Sequence, residues 1–114
     1  MYCATVEHAY QALKTLDPKE RERIRSARTP GEAKKRGRHA TLRLNWDAIR
    51  IDEMRRCLRA KFADPGLMAQ LVATGSRLLV EGNHWGDRFW GVSEGQGKNW
   101  LGKLLMELRA EGRR

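Results

Sequence analysis

Residues 81–99, EGNHWGDRFWGVSEGQGKN, set aromatic rings beside carboxylates in one glycine-rich stretch. Trp85, Phe89 and Trp90 supply flat apolar faces; Glu81 and Asp87 supply acids. A loop that only connects two elements has no use for that mixture. A pocket that stacks a planar ring and acts on the bond leaving it does. The competing reading makes the tryptophans core anchors in a glycine-rich turn. A second set lies near the front of the chain, in ATVEHAYQALK. Glu7, Gln11 and Lys14 recur at spacings of four and three, so an acid, an amide and an amine share one helical face. That face is either a pocket wall or a solvated polar surface. Glu7 lies near the helix N-terminus, where the field keeps a carboxylate ionised.

Other chemistries find no support. His8, His39 and His84 are scattered, and Cys3 and Cys57 lack metal-ligand spacing, so no metal is expected. GxSxG, P-loop and GxGxxG motifs are absent, and no cofactor is called for. The GQGKN run, ending at Asn99 before a helix, could hold phosphate at the helix N-terminus.

These groups need elements to position them. Val6, Ala9, Tyr10, Leu13 and Leu16 form one helical stripe. Asp17 and Pro18 start a second helix with Glu20 at the capping-box position, and Ile24 and Ala27 are its few apolar residues. Thr29, Pro30 and Glu32 repeat that grammar, with Gly37 as the stop. Trp46 precedes a helix carrying Ile51, Met54, Leu58 and Phe62 on one face. Asp64 and Pro65 end it and start another, bearing Leu67, Met68, Leu71 and Val72 and closed by Gly75. Residues 77–81 form the best strand candidate, because Leu78, Leu79 and Val80 make a short apolar run between glycines. A last helix from about Asn99 turns Leu101, Leu104, Leu105 and Leu108 inward. Helices dominate without the alternation of a doubly wound sheet, which predicts a helix-rich α+β domain with a small sheet.

The 114 residues suit a single domain, residues 1–114. No run is long and apolar enough to span a bilayer and no signal-peptide pattern opens the chain, so the expected setting is reduced and cytoplasmic, away from membranes. Lys and Arg number 23 against 14 Asp and Glu, a formal charge of +9 concentrated in residues 19–43 and 55–61. Such a surplus favours polyanions or phosphorylated ligands.

Taken in order, EHAYQALK, SARTPGEAKKRGR, NWDAIRIDEMRRCLRAKF, LVATGSRLLVEG and DRFWGVSEGQGKNWLGKLLMELR closely resemble the NADAR superfamily, also called the YbiA-like domain. The similarity runs over residues 5–109. It implies a YbiA-like α+β fold and N-glycosidase chemistry on ribosyl compounds. Members are described as cleaving a phosphorylated ribosylamino-pyrimidine of riboflavin synthesis, or as removing ADP-ribose from guanine in nucleic acid. The family's pocket acid in EHxxQ falls on Glu7, its first-helix lysine on Lys14, its tryptophan on Trp46, and its DxxWG acid and tryptophan on Asp87 and Trp90. Gln11, Gly91, Asn99 and Arg38 complete the expected substrate-binding set. Family members carry a segment before the EHxxQ helix with an aromatic FSNF-like motif, which supplies a strand and part of the pocket wall. Here only MYCAT precedes Val6.

The resemblance implies a mechanism that these residues can support. Breaking an N-glycosidic bond builds positive charge on the anomeric carbon and negative charge on the leaving base. Glu7 and Asp87 can serve as stabilising carboxylate and acid. Alternatively, the Lys14 amine attacks the opened ribose and forms a Schiff base. Trp46 and Trp90 would stack the base or enclose the ribose, and Arg36, Arg38 and Arg43 would neutralise phosphates. The competing classes are a non-catalytic module for ADP-ribose or NAD-like ligands and, on charge alone, a nucleic-acid binder. The expected partners are an ADP-ribose-like or ribosyl-phosphate ligand, ADP-ribosylated nucleic acid, and a second copy of the chain in a homodimer.

Overall fold

Thr5 opens the first helix: its hydroxyl accepts the backbone N–H of His8 at 3.1 Å. The computed structural model describes residues 3–114 and continues that helix as α1 (Val6–Leu13). Acid-proline or threonine-proline pairs start α2 (Pro18–Arg25), α3 (Pro30–Gly37) and α5 (Pro65–Ala73), as the sequence predicts. Asp17, Thr29 and Asp64 each accept first-turn N–H groups, and the proline fills a position whose own N–H has no use. The long helix α4 is Trp46–Lys61, and α6 is Trp100–Gly112. Two short strands, β1 (Gly82–Asn83) and β2 (Val92–Ser93), pair in parallel with Gly82 opposite Val92. The chain is therefore the helix-rich α+β protein with a small sheet that its sequence predicts.

Two local signals act differently from their sequence reading. Glu20 does not close a capping box on Asp17. Its carboxylate instead crosses to Thr41, accepting the backbone N–H at 2.6 Å and the hydroxyl at 2.8 Å. Gly37 ends α3 without a left-handed turn. A Cβ there would lie 2.0 Å from Gln11 Oε1, so the glycine exists to let α3 rest on α1.

The chain packs as two compact units, the first reaching to Leu58 and the second spanning Arg59–Arg114. In the first, Ala12, Ile24, Ala27 and Ala33 are buried together with Ala40 against them. The small side chains bring α1, α2 and α3 close. His8 is buried at their junction. Its Nε2 donates to the Ala27 carbonyl at 2.8 Å, and its Nδ1 lies 2.7 Å from the Thr5 hydroxyl. That ring ties the start of α1 to the link between α2 and α3. Helix α4 adds buried Trp46, Met54, Cys57 and Leu58. Burial pushes the Cys57 thiol up to about 11, with the nearby Glu53 carboxylate adding to the shift.

In the second unit α5 and α6 pack through buried Leu71, Leu104 and Leu108. Gly75 closes α5 at φ +71°, the left-handed stop expected of it. Buried Arg109 of α6 donates to Thr74 Oγ1 at 2.9 Å and to the Arg77 carbonyl at 2.8 Å.

The predicted strand at residues 77–81 is a correction. The ladder begins at Gly82, one residue past it. The residues before it run alongside side chains where a strand would otherwise lie: Asn99 Nδ2 donates to the Leu79 carbonyl at 2.9 Å, and Asn99 Oδ1 accepts the Glu81 N–H at 2.9 Å. A strand needs a backbone neighbour, and here an asparagine amide takes that place.

Candidate active site

The EHxxQ face is built as its spacing predicts. Gln11 Nε2 donates to Glu7 Oε1 at 3.2 Å, one helical turn apart on α1. Gln11 is buried against Gly37, and its Oε1 has no hydrogen-bond partner among the described residues. Lys14 caps the C-terminus of α1, with Nζ 5.8 Å from the centre of the Tyr10 ring. Tyr10 in turn meets buried Trp46, the first residue of α4, at 5.3 Å between ring centres and a 50° tilt. Burial pushes the Lys14 ammonium below the usual 10.5; Glu7 opposes the shift, and Lys34, Arg38 and Arg50 deepen it. A carboxylate, a buried amide, an amine biased toward its neutral form and two rings thus come together within one unit.

Of the arginines expected to meet phosphate, the structure separates one from the rest. Arg38 is exposed and close enough to bias Lys14. Arg36 is spent: it pairs with Glu32 and donates to the Arg23 carbonyl at 2.6 Å. Arg43 donates to the Leu13 carbonyl at 3.2 Å and faces Glu53 at 3.7 Å. Internal acceptors take up part of the donor capacity of both.

The aromatic loop in the second unit is a folded structure of its own. Asp87 Oδ1 accepts the N–H groups of Phe89 at 3.1 Å and Trp90 at 2.9 Å, and Asn83 clasps the Asp87 backbone on both sides at 3.0 and 2.8 Å. Asp87 Oδ2 makes no hydrogen bond among the described residues. Trp90 stands edge-on to Phe89 at 4.8 Å and 89°. Gly91 lies so close to the Glu81 carbonyl that a Cβ would come within 2.2 Å. The phosphate-cradle reading of GQGKN loses most of its donors: the N–H groups of Asn99, Trp100 and Leu101 go to the carbonyls of Gly91, Phe89 and Trp90. Asn99 itself adopts a left-handed conformation, φ 54°, and turns its amide to the backbone of residues 79 and 81.

Sequence reasoning passed over Tyr10, Lys34 and Arg50. Tyr10 was placed only on the apolar stripe. The signal for Lys34 was its spacing of four from Arg38, which puts both on one face of α3. Arg50 lay in a helix whose charges all look alike in sequence.

An acid, a buried amide, an amine of depressed basicity and two rings in one unit make a site suited to nucleophilic or acid–base chemistry. The NADAR domain model matches residues 1–113. The chain is similar to N-glycosidase YbiA of Escherichia coli strain K12, at 46% identity over 94% of this chain and 69% of that protein. It is also similar to the chloroplastic riboflavin biosynthesis protein PYRR of Zea mays, at 40% identity over 94% of this chain and 19% of that one. The NMR structure of the E. coli protein YbiA superposes with a TM-score of 0.85 at 45% identity, covering 96% of this chain and 67% of that one. The chain belongs to the NADAR domain family. It is an enzyme of the N-glycosyl hydrolase class.

Proposed function

We propose that this N-glycosidase cleaves the bond between a phosphorylated ribose and a base or amine, with Lys14 as nucleophile. The carrying observation is the setting of Lys14: half-buried at the end of α1, 5.8 Å from the Tyr10 ring centre, and acted on by the charges of Glu7, Lys34, Arg38 and Arg50. Burial and like charge favour the free amine, which alone can attack carbon. The amine nitrogen bonds to C1 of the ribose as the bond from C1 to the base breaks, and the base leaves with a proton; the C1–O4 bond of the resulting glycosylamine then opens, O4 takes up a proton and the nitrogen lone pair forms the C=N bond of an imine. Water then releases the sugar from the imine. In this mechanism Glu7, held by the hydrogen bond from Gln11 at 3.2 Å, stabilises positive charge on the sugar and moves protons. The surrounding cations suit a phosphate on the substrate.

Two substrates fit that chemistry. One is a ribosylamino-pyrimidine phosphate, supported by the similarity to a protein named for riboflavin biosynthesis. The other is guanine carrying ADP-ribose, free or in nucleic acid. Incubation with each, read by mass spectrometry of the released base, separates them. Release from one and not the other assigns the substrate. Binding without release from either would reduce the chain to a module for ribosyl phosphates.

A further inference from the structure

The extended segment before β1 has two edges, and only one is used. In an extended chain the N–H and C=O of one residue point to the same side, and successive residues alternate sides. The carbonyls of Arg77, Leu79 and Glu81 all point inward, to Arg109 at 2.8 Å, Asn99 at 2.9 Å and the Val92 N–H at 2.8 Å. The Glu81 N–H joins them on Asn99. Leu78 and Val80 must therefore direct their backbone groups the other way, and there they meet no partner among the described residues. Their side chains are also left out, Leu78 at 75% exposure and Val80 at 49%. Beside them opens an apolar cleft of about 380 Å³ lined by Phe62, Leu71, Leu79, Val80 and Leu105. An uncovered apolar edge of this kind recruits another strand.

We propose that two copies of this chain pair edge to edge, antiparallel, through residues 78–80 about a two-fold axis. Residues whose backbone groups point at a partner exchange both hydrogen bonds with the residue opposite. Leu78 of one copy then stands opposite Val80 of the other, and the symmetry repeats the pair. Leu79 faces its own counterpart across the axis. In this register Arg77 of each copy lies opposite Glu81 of the other. A slip of two residues either way loses both charge pairs, setting Arg77 against Asn83 or Leu79. The charge pattern therefore selects one register out of the three that the backbone allows. A surface that is its own complement makes a closed dimer.

Light scattering over a concentration series tests this on the full chain. The expected result is twice the mass of one chain at micromolar concentration. Val80→Pro deletes an N–H that is unbonded within one copy, so it should give a monomer with its melt retained. Arg77→Glu and Glu81→Arg should each weaken the dimer by roughly tenfold, the two symmetric contacts turning repulsive together. The double exchange should recover the parent affinity. If Val80→Pro does not fold, the charge exchange carries the test by itself. A parent chain that stays monomeric, a dimer indifferent to Val80→Pro, or a double variant as weak as its worse parent would overturn the proposal.

Discussion

At the scale of single residues, Lys14 carries the most consequential chemistry. Its folded-state value lies below 10.5, first because of burial and then because of neighbouring cations. The reactive form is the neutral amine, so activity should rise with pH through that depressed value. Removing Lys34 or Arg38 removes like charge, makes the ammonium easier to keep, and should move the acid limb of the rate profile to higher pH. A profile unmoved by Lys34→Ala would detach the cations from the nucleophile. Borohydride in the presence of substrate should leave an adduct on the Lys14 peptide, absent in Lys14→Arg. Glu7→Gln should cut turnover by about 10²–10⁴-fold, the usual worth of a positioned acid–base group. Because Glu7 opposes the depression of Lys14, the same variant should let trapping occur at lower pH while turnover is lost.

Lys14 also sets a stability cost. A lysine whose folded value falls below its unfolded one weakens the fold while charged, and the penalty disappears as pH rises past the unfolded value. Lys14→Met should therefore raise the melting temperature at neutral pH while abolishing the adduct. A lower melting temperature would mean that the ammonium's attraction to Glu7 outweighs its desolvation.

At the scale of elements, contact between α1 and α3 depends on Gly37. Its Cβ would lie 2.0 Å from Gln11 Oε1 and 2.9 Å from Cδ. Gly37→Ala must displace Gln11 or spread the helices, at about 1–3 kcal/mol of stability for overpacking. It should also lower activity, since Gln11 holds Glu7; denaturant melts and rates on one variant read both effects. Asn99→Ala leaves the Leu79 carbonyl and Glu81 N–H without their partner, a loss of about 1–3 kcal/mol for each group that stays buried. The helices were legible because each start is written in two or three adjacent residues, such as Asp64 with Pro65. The EHxxQ face was legible because helical spacing fixes which side chains are neighbours. Residues 77–81 were misread because apolar composition reports extension and burial, whereas strand pairing depends on a distant neighbour. Gly37 does end α3 as read, but the reason for a glycine there lies on another helix, at Gln11, and was not legible locally. For the aromatic loop, composition drew attention to Asp87 and Trp90, but nothing local showed that one Asp87 oxygen is already spent on the turn.

At the scale of the whole molecule, the +9 charge is unevenly available. Many of the arginines are bound internally, Arg36, Arg43 and Arg109 among them, so charge count overstates what a polyanion would meet. Trp90→Ala asks whether the loop serves ligand or fold. If the ring stacks a base, affinity should fall by about 1–3 kcal/mol with the melt little changed. If it anchors a core, the loss should appear instead as roughly 3–5 kcal/mol of stability. Calorimetric titration and thermal melts of one preparation separate the two. The buried Cys57 gives the molecule a clock of its own. With its thiol held near 11 and its side chain inside the first unit, it will resist alkylation for as long as that unit stays shut. The slow rate at which a maleimide or iodoacetamide reaches Cys57 therefore measures how often α4 comes loose. Repeated with bound ribosyl phosphate, the same labelling reads ligand-induced tightening without adding a probe to the chain.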